Sequence, residues 1–448
     1  MFDNAIISNR TITPDGIKKA VVLIKGGIIA DVLAELPEGD FPVIDVKNKV
    51  LMPGVVDPHV HINEPGRTDW EGFDTATQAA IAGGITTLVD MPLNSSPVTV
   101  TAKAFDEKID ATKGQLHAHC GFWGGLVPGN EKEIEPLIDK GVLGFKAFLT
   151  HSGIDEFPNV TEIDLRKAMP VIAKHQLPLL VHCELSNGTG GQTPVTIGPG
   201  VRRSYEKYVA SRPKKWEDDA IALMIKLCEE FNCHVHIVHL SSADAIEKIA
   251  KAKQKALQLT VETGQHYLYF NAEEIKDGRT QFKCEPPIRE KANNERLWQA
   301  LKEGIIDFVA TDHSPAPPDM KELASGDFMK AWGGISSIQF ALPVLWTAAK
   351  KHDCGLNEIA KWLCEKPVIL AGKQKNKGKI AKGYDADLVV WDPDQQFIVA
   401  ENMIHHKHKV TPYLGEELYG VVEQTYLKGA KVFDSGEFIL NKGSILLR

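Results

Sequence analysis

Val55-Val56-Asp57-Pro58-His59-Val60-His61 reads as a short apolar strand that runs out on two imidazoles. Four further runs share its build: Leu143-Gly144-Phe145-Lys146, Leu179-Leu180-Val181-His182, Val235-His236-Ile237-Val238-His239 and Phe308-Val309-Ala310-Thr311-Asp312. Each reads as a buried β-strand carrying, at its C-terminal end, a side chain that can bind a metal. In a barrel of parallel strands that end is where chemistry is done, with groups drawn from several strands at once. A metal site assembled from distant segments is the first expectation.

Outward from these runs, residues 53–372 alternate short apolar strands with helical stretches. Glu217 to Glu230 places Ala220, Ile221, Leu223, Met224, Ile225 and Leu227 at helical spacing, with charges opposite. This α/β alternation predicts a (β/α)8 TIM-like barrel, although a doubly wound sheet shares the pattern. Residues 1–52 carry alternating runs (Ala5-Ile6-Ile7, Val21-Val22-Leu23-Ile24) broken by Gly26-Gly27 and Pro37. Residues 373–448 behave alike, with Gly378-Lys379-Ile380, Ala386-Asp387-Leu388-Val389-Val390-Trp391 and Gln424-Thr425-Tyr426-Leu427. The two ends are expected to pair into one small β-sandwich, with the barrel inserted between them.

Composition narrows the function classes. A chain of 448 residues, 43% hydrophobic and 25% charged, has room for a large core and an accessory unit. A net charge of −8 gives no reason to expect nucleic acid or an anionic membrane as partner. No stretch approaches the ~20 apolar residues of a membrane span, and the N-terminus lacks the basic and apolar regions of a cleaved signal. The seven cysteines are scattered, odd in number and without a C-x-x-C pair, which suits reduced thiols in a cytoplasm.

His59 and His61, two apart on an extended segment, project to one face. A pair of hydrogen-bonded histidines has the same spacing, and it is the apolar strand before them that favours metal. His182 and His239 each terminate a strand, and His239 is preferred to His234 and His236 because Ser241-Ser242 opens the next loop. Asp312, at a strand-to-loop junction, can ligate metal and shuttle a proton, or cap a turn. Lys146 is costly to bury as an ammonium, so it must be paired or neutralised.

Taken in order, His59, His61, Lys146, His182, His239 and Asp312 resemble the binuclear site of the amidohydrolase superfamily, and within it the cyclic amidohydrolases: dihydroorotases, hydantoinases and allantoinases. The resemblance spans essentially the whole chain. It implies two divalent metal ions, usually zinc, bridged by a carbamate on Lys146 that turns the buried amine into an anionic ligand. Glu64-Pro65-Gly66-Arg67, Trp70-Glu71-Gly72, Met91-Pro92-Leu93-Asn94, Tyr208-Val209-Ala210-Ser211-Arg212-Pro213, Met329-Lys330-Ala331-Trp332-Gly333-Gly334 and His408-Lys409-Val410-Thr411-Pro412-Tyr413 look like allantoinase segments. Dihydroorotases carry a carboxylate-binding arginine where this chain has Asn63, and a neutral amide cannot make that bidentate pair.

The resemblance implies hydrolysis of the cyclic amide of allantoin to allantoate, with Asp312 moving the proton. Asn94, His151, Ser314 and the backbone at Gly333 would position the ring. His151 stands where hydantoinases have a tyrosine that supports the oxyanion; it could do the same or be a plain loop residue. Arg67 could hold the loop after the first barrel strand or reach the ureido group of the substrate, and the structural role is preferred. Glu285 occupies a position where relatives commonly have a small polar residue; it would disfavour an anionic ligand or point away. A hydantoinase or dihydropyrimidinase activity and a metal-free scaffold are the alternatives. The resemblance further implies a small-molecule substrate, a homo-oligomer (tetramer or dimer) and a cytoplasmic location.

Overall fold

The five strand runs fall on one ring. In a computed structural model, residues 2–186 and 201–448 are described, and among them eight parallel strands form the ring. They are β1 (Val55–Val60), β2 (Ile85–Asp90), β3 (His119–Phe122, resumed at Gly124–Gly125) and β4 (Phe145–Phe148). Then follow β5 (Leu179–His182), β6 (Val235–Ile237), β7 (Leu259–Gly264) and β8 (Phe308–Ala310). Every strand pairs in parallel with its sequence neighbour, and β3 links the two hydrogen-bonded sets through Asp90↔Phe122 and Phe145↔Gly124. The ring closes between β1 and β8. There Val60 bridges His313, and the His61 N–H donates to the His313 carbonyl at 2.8 Å. Asp57 fastens the same seam, accepting from Thr311 Oγ1 and from the His59 N–H.

Helices on the outside connect the strands: α1 (Phe73–Ala82), α2 (Ala102–Ala111), α3 (Ile134–Lys140), α4 (Glu162–Lys174), α5 (Lys214–Phe231), α6 (Ile246–Gln254), α7 (Lys291–Lys302) and α8 (Ala341–Lys350). The amphipathic stretch near Glu217 is α5. It buries Ala220, Ile221, Met224 and Leu227 fully, and Leu223 and Ile225 in part. This is the closed (β/α)8 arrangement rather than an open doubly wound sheet, because the first and last strands meet.

Strands from both ends of the chain lie in one nine-stranded sheet. Its join is Val50–Pro53 against Leu388–Ile398, antiparallel, with Trp391 opposite Val50 and Leu388 opposite Pro53. Asn4–Thr13, Gly16–Lys25 and Ile28–Leu33 extend the sheet on one side, and Glu417–Leu427 and Ala430–Asp434 on the other. Ile6, Val22, Ile24, Leu51, Leu388 and Val390 form an apolar cluster on this sheet.

Two local expectations are corrected. Gly378-Lys379-Ile380 forms no strand; Gly378 takes φ +85°, which breaks the extended run, and Ile380 is buried from a loop. Lys146 is the second residue of β4, not its end: Leu143-Gly144 precede the strand and Ala147-Phe148 complete it. The final residues leave the sheet and return to the barrel, where Ile445 bridges Cys120 of β3.

Candidate metal centre

Four of the six expected ligands stand at or just beyond strand ends: His61 is one residue past β1, His182 closes β5, and His239 and Asp312 follow β6 and β8 by two residues, while His59 is the penultimate residue of β1. His239 and Asp312 reach inward because their backbones turn into the left-handed region, with φ +38° and +46°. Such conformations are uncommon for non-glycine residues and concentrate at functional sites. Lys146 starts lower in the barrel, and its long side chain carries the amine up to the same cavity.

All six side chains line one cleft, partly open to solvent. His59 Nε2 is 3.1 Å from Asp312 Oδ1, and His61 Nε2 is 3.6 Å from the same oxygen. His182 Nδ1 and His239 Nε2 face each other at 3.0 Å. Donor atoms of His59, His239 and Asp312 lie within 4.8 Å of one another.

A second set of residues, which strand-end reading does not find, fixes these donors. Glu262 on β7 binds His59 Nδ1 with one oxygen and His236 Nε2 with the other, the latter at 3.1 Å. His59 therefore keeps Nε2 toward the cavity. Glu184 accepts from His182 Nε2 at 2.8 Å and is held in turn by Arg212. Asn94, with φ +67°, places its amide 3.3 Å from His61 Nδ1. Its Oδ1 has no hydrogen-bond partner among the described residues, and with the amide oxygen turned to Nδ1 the imidazole would donate there and keep Nε2 for a metal. His234 and His236 spend ring nitrogens on Thr260 and Glu262 instead.

Electrostatics follow from burial and neighbours. Burial pushes His61 down to about 4 and His239 well below its ordinary value. Burial depresses His59 too, but the Asp312 and Glu262 carboxylates outweigh it and raise the ring to about 9. Burial would raise Asp312, yet the adjacent His59 and His61 hold its carboxyl well below the usual carboxylate range. Burial brings the Lys146 amine down to about 8.

The donor set suits divalent metal ions. Among the described residues, Lys146 Nζ and His239 Nδ1 are buried polar atoms without a hydrogen-bond partner, and such orphans call for an occupant. Imidazole and carboxylate donors are those that zinc-like ions take.

The residues expected around a substrate divide. Asn94, His151, Ser314 and Gly333 all line the cleft. His151 sits at the rim, its side chain 45% exposed, with Nε2 3.3 Å from Asp155 and Nδ1 accepting from the Gly153 N–H. Asn63 is fully buried with φ +68° and donates to the Pro315 carbonyl, outside the cleft lining. Arg67 braces the loop, donating to the Ser95 carbonyl and to Glu156. Trp332 and Glu285 complete the wall.

Comparison with known proteins agrees with this geometry. The profile of the Amidohydrolase family matches residues 50–432. The allantoinase of Streptomyces avermitilis is 46% identical, covering 98% of this chain and 98% of that protein. The allantoinase of Arabidopsis thaliana is 45% identical over 96% of this chain and 88% of its own length. Among solved structures, the L-hydantoinase (dihydropyrimidinase) from Arthrobacter aurescens superposes with a TM-score of 0.91 at 30% identity, covering 100% of both chains.

Proposed function

The chain belongs to the amidohydrolase family, and on that premise we propose that it hydrolyses the cyclic amide of allantoin to allantoate. The observation that carries the reading is identity to allantoinases over nearly the full length, 41% even for the Saccharomyces cerevisiae protein, joined to a cleft that gathers all six ligand-type residues. The hydantoinases match the fold at lower identity, 27% for the Brevibacillus agri dihydropyrimidinase, and support that substrate class only weakly.

His59, His61, His182, His239, Asp312 and Lys146 would hold two divalent ions, zinc by our reading, with Lys146 carrying a carbamate formed with carbon dioxide. The buried Nζ, which has no hydrogen-bond partner among the described residues, supports that assignment. When bound, the ions lower the pKa of water towards ~7 and polarise the ring carbonyl. In the reaction a water oxygen bonds to the amide carbon, the ring C–N bond breaks, and the nitrogen gains a proton. Asp312 Oδ1 accepts the water proton and returns it to the departing nitrogen. Glu262 and Glu184 keep His59 and His182 in one tautomer and orientation. Asn94, His151, Ser314 and the Gly333 backbone supply the fixed hydrogen bonds that a small polar ring needs.

A panel of purified, metal-loaded protein on allantoin and dihydrouracil tests this, with Asp312→Asn as control. Ring opening of allantoin by the native chain alone supports the proposal, and preference for dihydrouracil overturns the substrate. Metal analysis separates an enzyme from a metal-free scaffold: two ions per chain are expected. Assembly as a tetramer or dimer and a cytoplasmic location are proposed with it. No helix of the described residues is long and apolar enough to cross a membrane, and all seven cysteines are free.

A further inference from the structure

The cleft wall carries one carboxylate, Glu285, to which the ring-opening scheme assigns no role. Glu285 lines the cleft with its side chain 28% exposed, packed against the bare backbone of Gly333, where a Cβ would come within 2.7 Å of the Glu285 Cγ. Its Oε2 lies 3.3 Å from Arg212 Nη1 and its Oε1 3.5 Å from Lys283 Nζ. Both cations are buried, at 7% and 5% exposure. Arg212 is shared with Glu184, so two carboxylates stand against two cations. Lys321 is engaged by the carbonyls of Lys283, Trp332 and Gly334 behind the same loop.

We infer that Glu285 is a specificity-determining residue: its carboxylate masks Arg212 and Lys283 from the cleft, so that a neutral ring is admitted and a carboxylate-bearing ligand, including the ring-opened product, is not retained. The inference rests on the proposed ring-opening reaction for its product arm. Burial would raise the Glu285 carboxyl, but Arg212 and Lys283 hold it below its ordinary value, so it is ionised at neutral pH. Without it the wall would present one uncompensated positive charge beside the cleft. A small carboxylate would then gain a charge-assisted partner in a largely buried site. Ring opening creates such a carboxylate from a neutral amide, so the same group that ignores substrate weakens the hold on product.

The test uses the metal-loaded full chain with Glu285→Gln, which keeps shape and removes charge, and Glu285→Asp, which keeps charge. The KM for allantoin and the inhibition constant of allantoate are measured on each. N-carbamoylglycine, a small ureido carboxylate, is titrated calorimetrically as a probe that needs no turnover. The ratio of KM to the inhibition constant is expected to rise about tenfold in Glu285→Gln and to stay near the native value in Glu285→Asp. N-carbamoylglycine is expected to bind about tenfold tighter to the Gln variant. Equal ratios and equal calorimetric affinities in the native and Gln proteins, or an equal shift in the Asp variant, overturn the inference. If the native chain opens no allantoin, the substrate reading fails by itself and the calorimetric comparison still decides the role of Glu285.

Discussion

The barrel mouth and the terminal sheet are built to opposite rules. In the sheet, the buried side chains are mostly apolar, with consecutive runs such as Ala20–Ile24 covered and only small hydroxyls such as Ser8, Thr11 and Thr425 among them, and ion pairs such as Lys49 with Asp392 at 2.7 Å and Glu423 at 2.6 Å are partly exposed. At the mouth, imidazoles, carboxylates and an amine are buried together, and among the described residues Lys146 Nζ, His239 Nδ1 and Asn94 Oδ1 have no hydrogen-bond partner. Asn63, Asn94, His239 and Asp312 also take left-handed backbone conformations there. Each such feature costs free energy that a packed barrel must supply. The sheet spends its interactions on stability, and the mouth spends stability on a preorganised site.

That contrast predicts which substitutions separate activity from folding. Asp312→Asn should lower kcat on allantoin by about a thousandfold, the scale of losing a positioned proton carrier, while a thermal melt stays cooperative. A variant that keeps a tenth of native activity would break the assignment. Removing metal with a chelator should abolish turnover and also lower stability, by roughly 3 kcal/mol for each ion present at a hundred times its dissociation constant. Lys146→Ala should reproduce that loss, read as fewer than two ions per chain by elemental analysis. Glu262→Gln should weaken metal affinity by roughly 10- to 100-fold, because it loosens the orientation of His59 without removing a ligand. Competition with a chromophoric chelator measures it.

The sheet should respond differently. Leu388→Ala, at a fully buried position, should cost about 2–5 kcal/mol in denaturant unfolding, yet leave kcat/KM per metal-loaded chain near native. Lys49→Ala should cost no more than about 1 kcal/mol, the usual scale for a partly exposed ion pair. A large activity loss from either would mean that the two regions are not as separate as their construction implies.

The six side chains that meet in the cleft were legible because each sits in or just after a local apolar run, and period and polarity are local signals. The residues behind them were not. Glu262 meets His59 across 203 positions of sequence, and Arg212 meets Glu285 across the 73 positions between their numbers. Nothing in the run Leu259–Gly264 marks Glu262 as anything but a polar interruption of a strand. The run Leu143–Lys146 places Lys146 at a strand end, whereas β4 begins two residues after that run does and continues through Ala147 and Phe148. His234 and His236 resemble ligands in type, and only their contacts with Thr260 and Glu262 show their ring nitrogens already engaged.

By itself the sequence determined the alternation of strands and helices, the pairing of the two ends, and the donor residues in order, since all of these follow from side-chain chemistry and local period. Ring closure at Val60 and His313, the tautomers imposed by Glu262 and Glu184, and the masking of Arg212 and Lys283 by Glu285 were decided only by the tertiary structure. Those features depend on which distant groups share a buried volume, and a buried charge or imidazole takes its properties from its neighbours in space.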